Sequence, residues 1–200
     1  MTHRIQSITM GNSMDALLPA HDAAAYARVY TAQLGWPIGP GHRFRPRAGC
    51  TCEAPTCPTP GAHPLDHWST TAYADQLPAD FDRPGVAIIA PAIGFDAVTL
   101  PRAVGMMAMV AIERRMEAPC LVGPDTMTLL VQPGTAAVLG AVPTVTVRSG
   151  ADHWIALPPS HDTRWDTPPW AERTGGPRLL PHGLSLVQDV RDAQRLGGAR

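Results

Sequence analysis

The sequence predicts an α+β fold carrying a cysteine-rich loop. Three observations lead there. Of 200 residues, 44 % are apolar and only 16 % charged, enough apolar side chains for a real core. Glycine (18) and proline (22) make up a fifth of the chain, which excludes a helical bundle or a coiled coil. Short β-type runs and helical stretches follow one another in mixed order. The length suits one domain over residues 19–200, preceded by a weakly patterned leader, residues 1–18.

Each element has its own local reason. Residues 21–34 are alanine-rich and read as a helix, with Asp22 at the N-cap and Gly35 as the stop. Trp36 to Gly39 reads as extended. Residues 40–70 form a Pro/Gly/Cys loop, too long to be idle in a compact domain. Residues 71–77 read as a short helix. Val86–Pro91 and Phe95–Leu100 read as two strands, with Gly94 as the turn between them. Pro101 suits the first position of a helix running to Glu117, with Val104, Met107, Ala108, Ala111 and Ile112 on its apolar face. Thr126–Val131 reads as a strand. Thr144–Val147 alternates with a period of two, and residues 149–152 turn the chain so that His153–Leu157 returns as a hairpin partner. A Pro/Trp-rich loop follows, then a terminal helix over residues 184–196.

Charge and hydropathy narrow the function classes. The formal net charge is −1, so no global positive field draws the chain onto nucleic acid. All 16 basic residues are arginine, a bias that coding pressure from a high-GC gene explains. No apolar run reaches the ~18–20 residues of a membrane span, and no secretory signal pattern opens the chain. With cysteines present and no signal, the expected compartment is the cytoplasm, where thiols stay reduced.

The four cysteines are unevenly placed. Cys50, Cys52 and Cys57 precede His63 in the spacing C-x-C-x4-C-x5-H, and Cys120 stands apart in an apolar run. Three thiolates and an imidazole suit tetrahedral zinc, and four protein ligands close the site, which makes it structural rather than catalytic. The prolines at 55, 58, 60 and 64 and Gly61 supply the turns of a zinc loop over residues 42–67. His67 is an alternative fourth ligand. Cys120 reads as a buried small hydrophobe.

The Ala-rich helix, Gly35-Trp36-Pro37, the cysteine triplet ending in Gly61-Ala62-His63-Pro64, Phe95-Asp96-Ala97-Val98, and Gly150 through Leu157-Pro158-Pro159-Ser160 together resemble a known family. It is the N-terminal domain of bifunctional DNA primase/polymerases, in its short actinobacterial branch. The resemblance spans about residues 20–172. It implies an archaeo-eukaryotic primase-like fold, an RRM-like mixed sheet with flanking helices around a nucleotide and template cleft. It also implies DNA replication chemistry, in which three acids on two strands hold Mg²⁺ or Mn²⁺ for phosphoryl transfer.

The departures from that pattern are specific. Only Asp96 stands on the expected acidic strand, Thr146 replaces the third acid, and Thr126–Val131 lacks the family's glycine and histidine. One carboxylate does not hold two hard cations. The expected function is therefore a catalytically degenerate primase/polymerase-like domain that binds nucleotide or nucleic acid. The alternatives are a non-catalytic protein-interaction or regulatory protein on the same fold, and an active polymerase with Asp96 catalytic. Arg43, Arg45 and Arg47, with Phe44 interleaved, are the expected phosphate and base contacts, and Arg148, Ser160 and His161 join them. Each has a plainer alternative, a solvated charge or a turn residue.

Overall fold

One 15-residue strand, β4 (Ala87–Pro101), organises the sheet. The computed structural model describes Leu18, residues 21–171 and residues 173–197. The expected leader lies outside these residues apart from Leu18. Strand β7 (Thr146–Leu157) runs antiparallel to β4, from Ile88 opposite Leu157 to Thr99 opposite Thr146. On the other side, β1 (Gly39–Gly41) pairs with the first half of β4 and β6 (Thr126–Val131) with the second. Beyond β6 come β5 (Cys120–Val122) and the edge strand β8 (Arg164–Thr167). Every pairing in this six-stranded sheet is antiparallel, where the resemblance implies a mixed one.

Two local expectations are corrected here. The chain does not turn at Gly94, and residues 153–157 do not pair with 144–147. Both halves of β7 bond to β4, so neither strand needs a hairpin to satisfy its backbone. A β-carbon at Gly94 would lie 2.7 Å from Cδ1 of Trp36, so glycine serves ring packing there rather than a turn. The β4–β7 register is broken on either side of Ala92. That irregularity swaps the faces of β4. Before it, Ile88, Ala90 and Ala92 face the core that also contains the helix at residues 23–32; after it, Phe95 and Ala97 do, while Val98 and Leu100 face the other core.

Helix α1 (Ala23–Ala32) forms because alanine loses no side-chain entropy in a helix. Its N-cap is Asp22, whose carboxylate accepts the N–H of Ala25 at 2.9 Å. Gly35 closes it at φ +64°, donating to the Thr31 carbonyl. Its core gathers Tyr30, Trp36, Phe95 and the fully buried Trp170. The Tyr30 hydroxyl donates to the Pro158 carbonyl at 2.8 Å and accepts from the Trp165 ring N–H at 3.0 Å.

The second core lies under α2 (Arg102–Ile112) and α3 (Val187–Gly197). Helix α2 stops five residues short of the expected end, and Pro101 is its N-cap rather than its first helical residue. The expected helix over 71–77 is a 3-10 turn, Ala74–Gln76, and the terminal helix begins with another, Gly183–Leu186. Cys120 is buried as expected, and burial pushes its thiol pKa up. Among the described residues no helix is long and apolar enough to cross a membrane.

The cysteine-bearing loop, residues 42–67, leaves β1 and returns across its face. It carries a small hairpin of β2 (Phe44–Arg45) and β3 (Gly49–Cys50). Its return brings backbone directly against the sheet. A β-carbon at Gly39 would lie 2.3 Å from the Ser69 carbonyl oxygen, and one at Gly41 would lie 2.5 Å from that of His63. These glycines are there because the loop rests on them. Gly41→Ala therefore forces backbone apart and should cost about 1–3 kcal/mol in thermal or urea unfolding. Unchanged stability would show that the loop does not rest on β1.

Candidate metal centre and the cleft beside it

Tight turns in the loop gather the four ligand candidates. Arg47 and Glu53 take positive φ, 70° and 59°, on either side of Cys50 and Cys52, and Gly61 takes 65° before His63. The Sγ atoms of Cys50, Cys52 and Cys57 and a ring nitrogen of His63 lie within 4.8 Å of one another. The His63 Nε2 is 3.3 Å from Cys50 Sγ and 3.4 Å from Cys57 Sγ. Tetrahedral zinc with its usual bond lengths requires about 3.5 Å between such atoms. His63, and not His67, is the histidine whose ring nitrogen lies with the three sulfurs.

The surroundings also fit a metal ion. The Gly61 N–H donates to Cys50 Sγ at 3.3 Å, and Nδ1 of His63 lies 3.2 Å from the Pro64 carbonyl oxygen, so Nε2 is left facing the sulfurs. Burial opposes ionisation of Cys50, but the N–H groups of Cys52 and Gly61, with His63 and the Cys52 side chain, outweigh it and bring the thiol down to about 6. Burial, then the other two thiols, push Cys57 up to about 11. His42 stacks on His63 at 4.4 Å, and burial and that neighbour hold its ring below the usual range. The four residues could hold a metal ion, and no other group of three or more such side chains occurs among the described residues.

The loop and the Pro-Pro-Ser turn are joined at one point. Phe44 stacks on His161 with centroids 3.7 Å apart and planes 10° from parallel. Gly61 is wedged beneath: a β-carbon there would lie 2.6 Å from that of Phe44 and 3.0 Å from that of His161. The His161 N–H donates to the Gly61 carbonyl at 3.3 Å.

From this joint a cleft of about 1380 Å³ opens along the edge of the sheet. Arg43, Arg45, Arg102 and Arg164 line it, together with His21 and Tyr26. None of the four arginines forms an ion pair among the described residues. Asp162 and Asp166 are the acids of the lining, and Asp162 lies 3.3 Å from His161.

The structure thus brings Arg43, Arg45, Ser160 and His161 to one cleft and leaves three expected residues elsewhere. Ser160 is buried, and its hydroxyl serves the backbone, accepting the Ile88 N–H at 2.9 Å and donating to the Leu157 carbonyl at 2.6 Å. Arg47 is exposed outside the lining. Arg148 lies on the sheet, its Nη1 3.3 Å from the Thr99 hydroxyl. Arg164 was not among the expected contacts. Its one sequence signal is its place three residues beyond His161, on the strand that returns to the sheet edge.

Asp96 is 1 % exposed, and its carboxylate accepts the Ala136 N–H at 2.9 Å and the Ser149 hydroxyl at 2.5 Å. It faces the α2–α3 core and belongs to no group of three or more possible metal ligands among the described residues. Thr146, which stands where the resemblance implies the third acid, lies opposite Thr99, and Thr99 lies opposite Thr128. The Thr99 and Thr128 hydroxyls are 3.0 Å apart.

Compared with protein-family models, curated proteins and solved structures, the chain shows no match.

Two predictions follow from these sites. Cys52→Ser and His63→Ala should each lower bound metal below one equivalent by elemental analysis, while His67→Ala leaves it unchanged. Equal metal in all three would remove the cluster as a metal site. Asp96→Ala leaves a buried N–H without its acceptor and should cost about 1–3 kcal/mol of unfolding free energy. A stability equal to that of the parent chain would show that the carboxylate does not brace Ala136.

Proposed function

We propose that this chain is a DNA primase/polymerase-like domain that binds nucleotide or nucleic acid without polymerising it. The observation that carries this reading is the cleft with four arginines free of ion pairs. A guanidinium with no carboxylate partner keeps donors for phosphate, and among the described residues only Arg102 of these four spends one on the backbone, its Nη1 donating to the Pro124 carbonyl at 3.3 Å. Phe44 and His161 add aromatic surface of the kind on which bases stack. Zinc is the metal that three thiolates and an imidazole suit best, and with no open position it acts as a clip. Four unbridged cysteines are in keeping with a reducing compartment such as the cytoplasm.

Loss of catalysis rests on the threonine row and on Asp96. Two-metal phosphoryl transfer needs carboxylates that face the substrate. Neutral hydroxyls and the Arg148 cation occupy that region, and the one carboxylate is turned into a core and already paired. A competing reading, a protein-interaction module, draws on Met106 and Val110, which are 55 % and 58 % exposed on α2.

Fluorescence anisotropy with a labelled single-stranded oligonucleotide tests the binding, with primer extension run alongside. Salt-sensitive binding is expected, and Arg164→Gln should reduce the slope of log K against log salt by about 0.7 per lost phosphate contact. No extension is expected with Mg²⁺ or Mn²⁺. Absent binding by the metal-replete chain would favour the protein-interaction module, and metal-dependent extension would restore the enzyme.

A further inference from the structure

We propose that metal occupancy of the Cys50/Cys52/Cys57/His63 cluster controls the cleft, by positioning the segment Arg43–Arg45 against His161. The proposal deepens the binding reading above and rests on it for the identity of the ligand. It does not rest on it for the structural change.

The loop has almost nothing else to hold it. Within residues 42–67 only Cys50 and Gly61 are buried, and neither belongs to either hydrophobic core. A segment without apolar burial does not stay ordered by chain propensity alone. What it has instead is a short relay from the ligands to the cleft. Cys50 pairs with Phe44 across β2 and β3. The Thr51 N–H donates to the Arg43 carbonyl at 2.9 Å, and the Arg43 N–H donates to the Thr51 hydroxyl at 3.0 Å. On the far side, Gly61 donates to Cys50 Sγ and accepts from His161. Apart from the chain's exit from β1, the Phe44–His161 stack and the approach of the Phe44 carbonyl to Gly85, these hydrogen-bonded links between the cleft wall and the body pass within one or two residues of a ligand.

The sheet and helices are built differently. Their two cores contain no residue of the loop, so they keep their apolar contacts when the ligands part. Release of the four ligands therefore opens the loop locally, as a low-stability unit on a folded body. Arg43 and Arg45 then leave the cleft, while Arg102 and Arg164 remain. Linkage makes the effect reciprocal: an anion held by these arginines together tightens metal binding by the same factor.

The experiment strips the full chain with a chelator and adds Zn²⁺ back, with two readouts. Limited trypsin digestion reports the loop through cleavage after Arg43 and Arg47. Anisotropy of a labelled oligothymidylate reports the cleft. Stripping should speed cleavage at both sites and weaken binding by about tenfold or more, with far-UV circular dichroism retained and both effects reversed by Zn²⁺. Phe44→Ala keeps all four ligands and removes the stack, so its loop should be cleaved faster even when metal-loaded. Cleavage rates that ignore the metal overturn the coupling, and so does loss of the whole far-UV signal on stripping. Metal-dependent cleavage in a chain that never binds the oligothymidylate supports the coupling and overturns the nucleic-acid reading instead.

Discussion

Strand β4 belongs to two cores at once, and the rest of the structure depends on how it does so. A regular strand offers one face to each side throughout its length. Here the first half carries β1 and the second half β6 along the same edge, with β7 along the other. The break in register around Ala92 lets Ile88 and Ala97 share a core although their positions differ in parity. Without it, Phe95 and Ala97 would face α2 and α3, and Val98 and Leu100 would face α1. The aromatic cluster of Tyr30, Trp36, Trp165 and Trp170 fixes the side on which the chain crosses from β7 to β8. That crossing places His161 and Arg164 at the cleft.

The cysteine loop follows a different physical rule. It has no core, so hydrogen bonds, glycine contacts and four ligand atoms define it. Gly39 and Gly41 admit its backbone onto the sheet, and Gly61 admits the Phe44–His161 stack. A metal ion held by the three sulfurs and one nitrogen would supply the cohesion that other loops obtain from buried apolar area. The body is held by apolar packing and the loop stands outside both cores, and the two meet at His161.

Electrostatics separates the two places where a polyanion could act. In the cleft, unpaired arginines face solvent across a wide opening. On the sheet, threonines in register and Arg148 offer no site for a hard cation. This charge pattern is the ground on which the proposed binding role rests.

Much of this was legible in the sequence because it is set by near neighbours. The α1 boundaries came from Asp22, the alanines and Gly35, and strand β6 from the six-residue stretch Thr126–Val131, four of whose residues are apolar. The ligand set came from residue type and spacing within fourteen positions, and residues so close in the chain have few ways to avoid meeting. Tertiary structure alone decided the rest. Gly94 and residues 149–152 have turn chemistry, but β4 and β7 pair with each other on both sides of the break at Ala92, and long-range pairing overrode the local preference. Ser160 and Asp96 have the residue types of a functional site, yet each is enclosed by backbone donors that lie 40 or more positions away. Arg102 and Arg164 are far apart in the chain and come to one cleft only because β5 pairs with β8 beside the start of α2. Periodicity and spacing report contacts within a few residues; which distant segments share a wall is fixed by the packing that buries the two cores.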